Sequence, residues 1–153
     1  MPTEEKIVIR LLERRDEPDW RRLWTAYLEF YEASVSEEVF RGSFERMLAG
    51  NAGAPNEFRG LLATLAGKPV GLVHYLFHRH GWRIENVCYL QDLYADPHVR
   101  GRGIGRKLIE AVYADADREG CPSVYWLTQE FNTDARKLYD RIATLTPFIK
   151  YQR

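Results

Sequence analysis

The chain has 153 residues, of which 45% are apolar and 29% are charged, a composition typical of an ordinary soluble globular protein. Lysine plus arginine balance aspartate plus glutamate at 22 each. This balance argues against a nucleic-acid partner, because proteins that bind nucleic acids normally carry a basic surplus. The length predicts a single domain over residues 1–153 that buries a sizeable core.

The sequence shows no targeting signal and no metal-binding pattern. No apolar stretch approaches the roughly 20 residues of a membrane span, and the N-terminus lacks the apolar run of a signal peptide. Cys88 and Cys121 have no metal-ligand spacing and are expected to be buried thiols. The histidines form no H-E-x-x-H pattern. We therefore expect a cytoplasmic protein with no membrane partner and no metal.

In the first half of the chain, apolar periodicity predicts a strand, two helices and a hairpin. Residues 6–13 alternate as a strand does. Apolar residues at helical spacing follow, namely Trp20, Leu23, Trp24, Tyr27, Leu28 and Tyr31. Ser36 is the predicted N-cap of a second helix, whose apolar face carries Phe40, Phe44, Met47 and Leu48. Two apolar runs, 57–66 and 69–80, predict paired strands.

The second half predicts two further strand–helix pairs and a last strand. Strands are expected over 87–95 and 123–128, and a long helix over 103–119. Asn132 begins a fourth helix, and the last strand is predicted at 148–151. The order β-α-α-β-β-β-α-β-α-β predicts an α/β (α+β) fold, with a mixed, largely antiparallel sheet flanked by helices.

The turn between strand 87–95 and helix 103–119 is the most informative segment. Glycines remove the Cβ atoms that would keep a phosphate from the main chain, and a helix start offers unpaired N–H groups. The glycine spacing fits neither G-x-G-x-x-G nor the G-K-[ST] ending. A plain strand-to-helix turn is the alternative. The sequence favours a phosphate cradle made of Arg100, Gly101, Arg102, Gly103, Ile104, Gly105 and Arg106.

Residues 100–105 match [QR]-x-x-G-x-[GA], and this hexapeptide resembles the acyl-CoA pyrophosphate motif of the GNAT superfamily of N-acetyltransferases. Residues 89–94 resemble the family's fourth strand, and residues 132–139 resemble its N-x-x-A-x-x-L-Y segment. The order of elements agrees over nearly the whole chain. The resemblance implies acetyl-CoA as co-substrate and transfer of its acetyl group to a primary amine by direct attack in a ternary complex.

The resemblance also implies individual roles. The pantetheine arm would lie between two splayed strands, along the main chain of Leu93, Tyr94 and Ala95. Asn132 would contact the arm, although a side-chain N-cap is an equally good role. Tyr139 matches the tyrosine that protonates the leaving thiolate, although core packing also explains an aromatic residue on a helix.

The general base is left open by this resemblance. Residues 89–92 resemble the polyamine acetyltransferases and their fungal histone- and amino-acid-acetylating relatives. Gln91 stands where many of these have a catalytic glutamate, and a glutamine cannot accept a proton at useful pH. We expect Gln91 to orient a ligand by hydrogen bonding. Asp92, Glu130 or a histidine would then act as the base through water, although Asp92 also fits a structural acceptor at a strand bend.

The acceptor site is implied by the family to lie under the first helices and the connection between the third and fourth strands. The candidate residues are Tyr27, Tyr31, His78, Trp82, Glu85 and Glu130. Aromatic rings beside a carboxylate suit a cationic amine, but each residue alone also fits a structural role. A polyamine or other small amine, an amino acid, an antibiotic amine and a protein lysine all remain open as acceptors.

The C-terminal region departs from the family pattern. A glycine–phenylalanine pair usually follows the tyrosine, whereas this chain has no such glycine and a longer connection to Phe148. The apolar segment 148–151 predicts a homodimer through the last strand, because exposed strand edges tend to be paired. Two other classes compete with an enzyme: a non-catalytic acyl-CoA sensor, which Gln91 favours, and a nucleotide-binding or protein-interaction domain.

Overall fold

The computed structural model describes residues 6–99 and 101–153. Its sheet has five strands in the order β1-β2-β3-β4-β5, with β5 parallel to β4 and the other pairs antiparallel. The strands are β1 Ile7–Leu11, β2 Arg59–Leu65, β3 Lys68–His78, β4 Val87–Ala95 and β5 Val124–Tyr125. The helices are α1 Glu17–Phe30, α2 Glu37–Asn51, α3 Ile104–Arg118 and α4 Thr133–Ile142. The predicted mixed fold with a largely antiparallel sheet is confirmed.

The helices pack on the sheet through the predicted apolar stripes, forming two cores. One core joins α1 and α2 to β2 and β3 through Trp20, Leu23, Phe44, Met47, Leu62 and Leu72. The other joins α3 to β2, β3 and β4 through Leu61, Val73, Leu90, Ile104, Leu108, Ile109 and Val112. The N-cap prediction for α2 is confirmed, because the Ser36 hydroxyl accepts a hydrogen bond from the Val39 N–H at 3.3 Å. No helix in the described ranges is long and apolar enough to cross a membrane.

A β-bulge in β4 decides which side chains face which core. His74 of β3 lies opposite Asp92, and Tyr75 lies opposite Leu90, so Gln91 is an extra residue in β4. In a regular strand without a bulge, Leu90 and Asp92 lie two positions apart and would share a face of the sheet. Instead Leu90 packs into the α3 core, and Asp92 contacts His74 on the face covered by α1.

β4 and β5 separate soon after they meet. They pair only at Cys88–Val124 and Tyr89–Tyr125, so the strand predicted over 123–128 has just two residues in strand conformation. β4 continues to Ala95 without a described strand on that side. The parting leaves a gap at the sheet edge beside residues 90–95.

The predicted last strand at 148–151 is wrong, because the structure has no strand in residues 143–153. Strand conformation is stabilised by a ladder of hydrogen bonds to a neighbouring strand, and this segment has no such neighbour within the described chain. Its apolar side chains are left exposed, with Phe148 at 77%, Ile149 at 76% and Tyr151 at 89%.

Candidate active site

The gap between β4 and β5 forms a narrow cleft with an internal volume of about 20 Å³, enough for one water-sized group. Residues of α1, β4, α4 and the segment after β5 line it: Tyr27, Tyr31, Leu90, Gln91, Leu93, Trp126, Leu127, Thr128 and Tyr139. Five of these were predicted from the sequence as site residues, namely Tyr27, Tyr31, Gln91, Leu93 and Tyr139. The fold therefore brings the predicted catalytic tyrosine to the predicted acceptor tyrosines.

Tyr139 lies on the inner face of α4 and packs edge-on against Trp126, with 5.3 Å between the ring centroids. Burial, with a smaller contribution from Tyr31, raises the pKa of Tyr139 to about 12. The phenol is therefore protonated at neutral pH and able to donate. No described residue accepts a hydrogen bond from its hydroxyl, so that proton is available to a ligand.

Asp92 is held at the end of a buried chain of hydrogen bonds. The Trp20 indole N–H donates to Nε2 of His74 at 2.9 Å, and Nδ1 of His74 lies 2.9 Å from Oδ2 of Asp92. An indole nitrogen can only donate, so Nε2 of His74 must accept and Nδ1 must carry the proton. All three side chains are buried, at 0%, 2% and 7% exposure in this order.

Burial and the negative charge of Asp92 raise the pKa values of tyrosines at the cleft. Burial first, and then the charge and hydrogen bonding of Asp92, raise the pKa of Tyr27 well above its ordinary value. Burial and the charge of Asp92 also raise the pKa of Tyr31 and of Tyr89. The rings of Tyr27 and Tyr31 contact edge to face at 5.0 Å. The acceptor end of the cleft is thus an aromatic wall over one carboxylate, an environment that favours a cation.

The glycine turn, which is the predicted phosphate cradle, lies at the start of α3. Gly101 and Gly103 adopt left-handed backbone angles, with φ of 82° and 72°, which glycine adopts without strain. A Cβ built at either position meets no atom of the described residues beyond its chain neighbours within 4 Å, so the main chain is not covered by them. The first N–H groups of a helix have no helical partners, so those of α3, which begins at Ile104, are expected to be available at this turn.

The other residues of the predicted phosphate cradle differ in exposure and in the contacts they make. Arg100 lies outside the described residues. Arg102 is exposed, and Arg106 is exposed and bonded to Glu110 at 2.7 Å. Ile104 is only 3% exposed and packs in the α3 core, so only its main chain can face a phosphate. Gly105 is partly buried, and a Cβ there would meet Leu138 at 3.7 Å. Tyr94 and Ala95 end β4 next to the turn.

Asn132 occupies the N-cap position of α4, but its side chain makes no capping hydrogen bond. The predicted N-cap position is confirmed, but the side-chain capping bond is not formed, and the Nδ2 group donates to the Thr128 hydroxyl at 3.3 Å. Thr128 lines the cleft, so this contact ties the start of α4 to the wall of the cleft.

The remaining predicted acceptor residues do not line the cleft. His78 lies at the end of β3, with Nδ1 2.7 Å from the Arg79 carbonyl and Nε2 2.7 Å from the Tyr125 hydroxyl. Tyr125 in turn stacks on Tyr89 at 4.8 Å, so His78 supports the β4–β5 junction. Trp82 is 85% exposed, Glu85 lies beside Arg83 at 3.5 Å, and Glu130 is exposed before α4.

Sequence reasoning missed Trp20, His74 and Trp126 as parts of the site. Trp20 and Trp126 looked like ordinary core residues. His74 carried a usable signal, because it is a titratable side chain within the apolar run Leu72-Val73-His74-Tyr75, and a buried polar group in such a run needs a hydrogen-bond partner.

A larger cavity of about 570 Å³ lies between α3 and strands β1 and β2. It contains none of the predicted site residues. Tyr75 donates to Asp115 at 2.6 Å, and Arg59 pairs with Asp115 at 2.9 Å and with Glu119 at 3.2 Å. These polar groups satisfy one another, so we assign them to the attachment of α3 to the sheet.

Comparison with known proteins identifies the family. Residues 18–143 match the acetyltransferase (GNAT) family. The chain is 38% identical over 151 residues to a D-amino-acid N-acetyltransferase of Saccharomyces cerevisiae, covering 97% of this chain and 91% of that protein. It is 33% identical over 116 residues to a thialysine N-epsilon-acetyltransferase of Mus musculus, covering 71% of this chain and 64% of that protein.

The fold also matches solved structures. An aminoglycoside N-acetyltransferase, AAC(6')-Iy in complex with CoA, superposes with a TM-score of 0.84 at 20% identity, covering 100% of this chain and 97% of that chain. A ribosomal-protein-alanine N-acetyltransferase from Brucella melitensis superposes with a TM-score of 0.77 at 21% identity, covering 97% and 99%. The chain belongs to the GNAT family of acetyltransferases and is an acetyl-CoA-dependent N-acetyltransferase.

Proposed function

We propose that this protein transfers the acetyl group of acetyl-CoA to the primary amine of a small molecule, by direct attack of the amine within a ternary complex. The observation that carries the proposal is one cleft lined both by Tyr139, whose raised pKa keeps its hydroxyl protonated, and by Tyr27, whose pKa is raised by burial and by the charge of Asp92. The same cleft thus holds a proton donor for the leaving thiolate and aromatic side chains that would attract an ammonium group.

Acetyl-CoA would be held along the edge of β4. The open main chain at Gly101 and Gly103 suits its pyrophosphate, and Arg102 and Arg106 are exposed beside it. The pantetheine arm would extend along residues 93–95, where β4 has no strand on its open side, with Asn132 on the opposite wall. This path directs the thioester to the cleft beside Tyr139.

The amine must lose a proton before it attacks, because an alkyl ammonium has a pKa of roughly 10.4. Asp92 attracts the ammonium and is the base that receives its proton, with the Tyr27 hydroxyl or water between them. Gln91, at the bulge, orients the ligands by hydrogen bonding, and a main-chain N–H of the bulge stabilises the oxyanion. Tyr139 protonates the thiolate and recovers a proton from the new amide nitrogen.

An amino acid is the acceptor class that we propose first. Two of the relatives, from Saccharomyces cerevisiae and Mus musculus, act by their names on D-amino acids and on thialysine. Among the described residues, Asp92 is the acidic group whose charge, in addition to burial, raises the pKa values of Tyr27, Tyr31 and Tyr89, which suits an acceptor with a single ammonium at the reacting end. A polyamine, with several cations, is the second candidate.

Three further features complete the proposal. Residues 1–153 act as one catalytic domain. The protein works in the cytoplasm, which the free thiols of Cys88 and Cys121 support. Two copies associate through the C-terminal segment, which the exposed side chains of Leu145, Phe148, Ile149 and Tyr151 support.

The test is release of the coenzyme A thiol from acetyl-CoA in the presence of a panel of amines: D- and L-amino acids, S-aminoethyl-cysteine, spermidine and a lysine peptide. The proposal expects thiol release that depends on a small amine, together with a product heavier by one acetyl group. If the lysine peptide alone reacts, the small-molecule acceptor is refuted. If no amine reacts, the transferase reaction proposed for this cleft is refuted.

A further inference from the structure

We propose that His74, held by Trp20 as its neutral Nδ1–H form, is a positioning residue that fixes the Asp92 carboxylate under the acceptor tyrosines. This inference rests on the proposed function and assigns a role to two residues that do not touch the substrate. The hydrogen bonds that carry it are the 2.9 Å contact from the Trp20 indole to His74 and the 2.9 Å contact from His74 to Asp92.

The geometry leaves His74 one arrangement. Trp20 is fully buried, and its N–H points at Nε2 of His74. If Nε2 of His74 carried a proton, that N–H would face the N–H of Trp20. Neither group would then have a hydrogen-bond acceptor, and each unsatisfied buried donor costs about 1–3 kcal/mol. Nδ1 therefore carries the only ring proton, and it donates to Asp92. The strand register supports the contact, because His74 and Asp92 are directly opposite across β3 and β4.

The neutral form of the imidazole matters for the chemistry. A buried carboxylate needs a hydrogen-bond donor, and an imidazolium would supply one but would also cancel the negative charge. The neutral His74 supplies the donor and leaves the charge of Asp92 to act on the cleft. The other groups that face Asp92 among the described residues are Tyr27 of α1, Tyr31 just after α1 and Tyr89 of β4. These are neutral, so the attraction for an ammonium is kept.

A purely structural role is the competing explanation, because the same bonds also attach α1 to β3. Trp24 offers a matched control. It lies one turn further along α1, stacks on Trp20 at 5.2 Å and contacts the His74 ring edge-on at 5.7 Å. Its indole nitrogen is buried and has no hydrogen-bond partner among the described residues. Trp20→Phe and Trp24→Phe therefore remove similar ring volume, but only Trp20→Phe removes the donor to His74.

The experiment compares the two variants by steady-state kinetics with the best amine, by calorimetry with coenzyme A, and by nitrogen NMR of the histidine rings. We expect Trp20→Phe to lower kcat/KM for the amine roughly tenfold, as the loss of about 1.4 kcal/mol of transition-state stabilisation does, with unchanged coenzyme A affinity. The Nδ1–H form of His74 should persist in the wild type and in Trp24→Phe, and should cease to be the sole form in Trp20→Phe.

A second pair of variants keeps the inference testable if Trp20→Phe does not fold. His74→Gln retains one donor and one acceptor, whereas His74→Phe retains neither, so His74→Gln should keep the greater share of kcat/KM. Equal kinetic losses in Trp20→Phe and Trp24→Phe, or an Nε2–H form of His74 in the wild type, would overturn the positioning role while leaving the transferase activity established. A wild type that acetylates no amine overturns the proposed function, and the positioning role with it.

Discussion

Replacement of Gly103 by valine separates phosphate binding from backbone strain, because α3 has a glycine of matching geometry at each end. Gly103 precedes the helix with φ of 72°, and Gly120 follows it with φ of 71°. A Cβ meets no atom within 4 Å at either position. Gly103→Val and Gly120→Val therefore carry the same conformational cost, but only Gly103→Val places a side chain in the proposed pyrophosphate cradle.

The expected changes in Tm follow from general values for backbone strain and for ligand binding. A left-handed backbone costs a residue with a Cβ about 1–2 kcal/mol, which lowers Tm by about 2–8 °C in a protein of this size. Coenzyme A at a hundred times its Kd stabilises the folded state by about 2.7 kcal/mol, which raises Tm by about 5–11 °C. Both variants should melt earlier than the wild type without ligand, and only Gly120→Val should show the full rise with coenzyme A.

Thermal melting with and without coenzyme A measures both effects, and circular dichroism at low temperature confirms that each variant is folded. A folded Gly103→Val protein that keeps the full rise would refute the assignment of the cradle. An equal loss of the rise in Gly120→Val would show that distortion of α3, and not blockage of the turn, explains the effect.

Two further predictions concern stability and assembly. The pKa of Tyr139 is raised to about 12, so the folded state holds its proton more tightly than the unfolded state does; the contribution of this phenol to the free energy of unfolding should be constant below about pH 10 and fall above it. Tyr139→Phe should reduce that fall by about 3 kcal/mol between about pH 10 and 12, as measured by urea titration at each pH, and an identical pH dependence in both proteins would contradict the burial of this phenol. Light scattering at micromolar concentration should give twice the monomer mass of 17.9 kDa, and Phe148→Asp should give the monomer; a monomeric wild type refutes the dimer.

The elements that the sequence predicts well are those whose pattern is local. The apolar stripe of α1 repeats at the helical period, and its buried members are Trp20, Leu23 and Trp24. The strand expected over 87–95 has the same bounds in the structure, because Pro97 ends it. The glycine turn is also local, since alternating glycines at a helix start define an open main chain without reference to the rest of the fold.

The features that the sequence does not predict depend on distant partners. The bulge at Gln91 appears only when β4 is aligned with β3. The contact of Trp20 with His74 joins positions 54 residues apart, and neither residue reveals the other. The segment 148–151 has the composition of a strand, but strand formation requires a neighbouring strand, and the described chain offers none.

The most direct test of the central claim is a paired measurement on Tyr139→Phe, with coenzyme A affinity from calorimetry and turnover with the best amine of the panel. The substitution removes one proton donor and almost no volume, so packing against Trp126 and cofactor affinity should be unchanged. Turnover should fall by about 10²- to 10⁴-fold, as expected when a general acid is lost. Turnover equal to that of the wild type, at unchanged affinity, would contradict the assignment of Tyr139 as the proton donor.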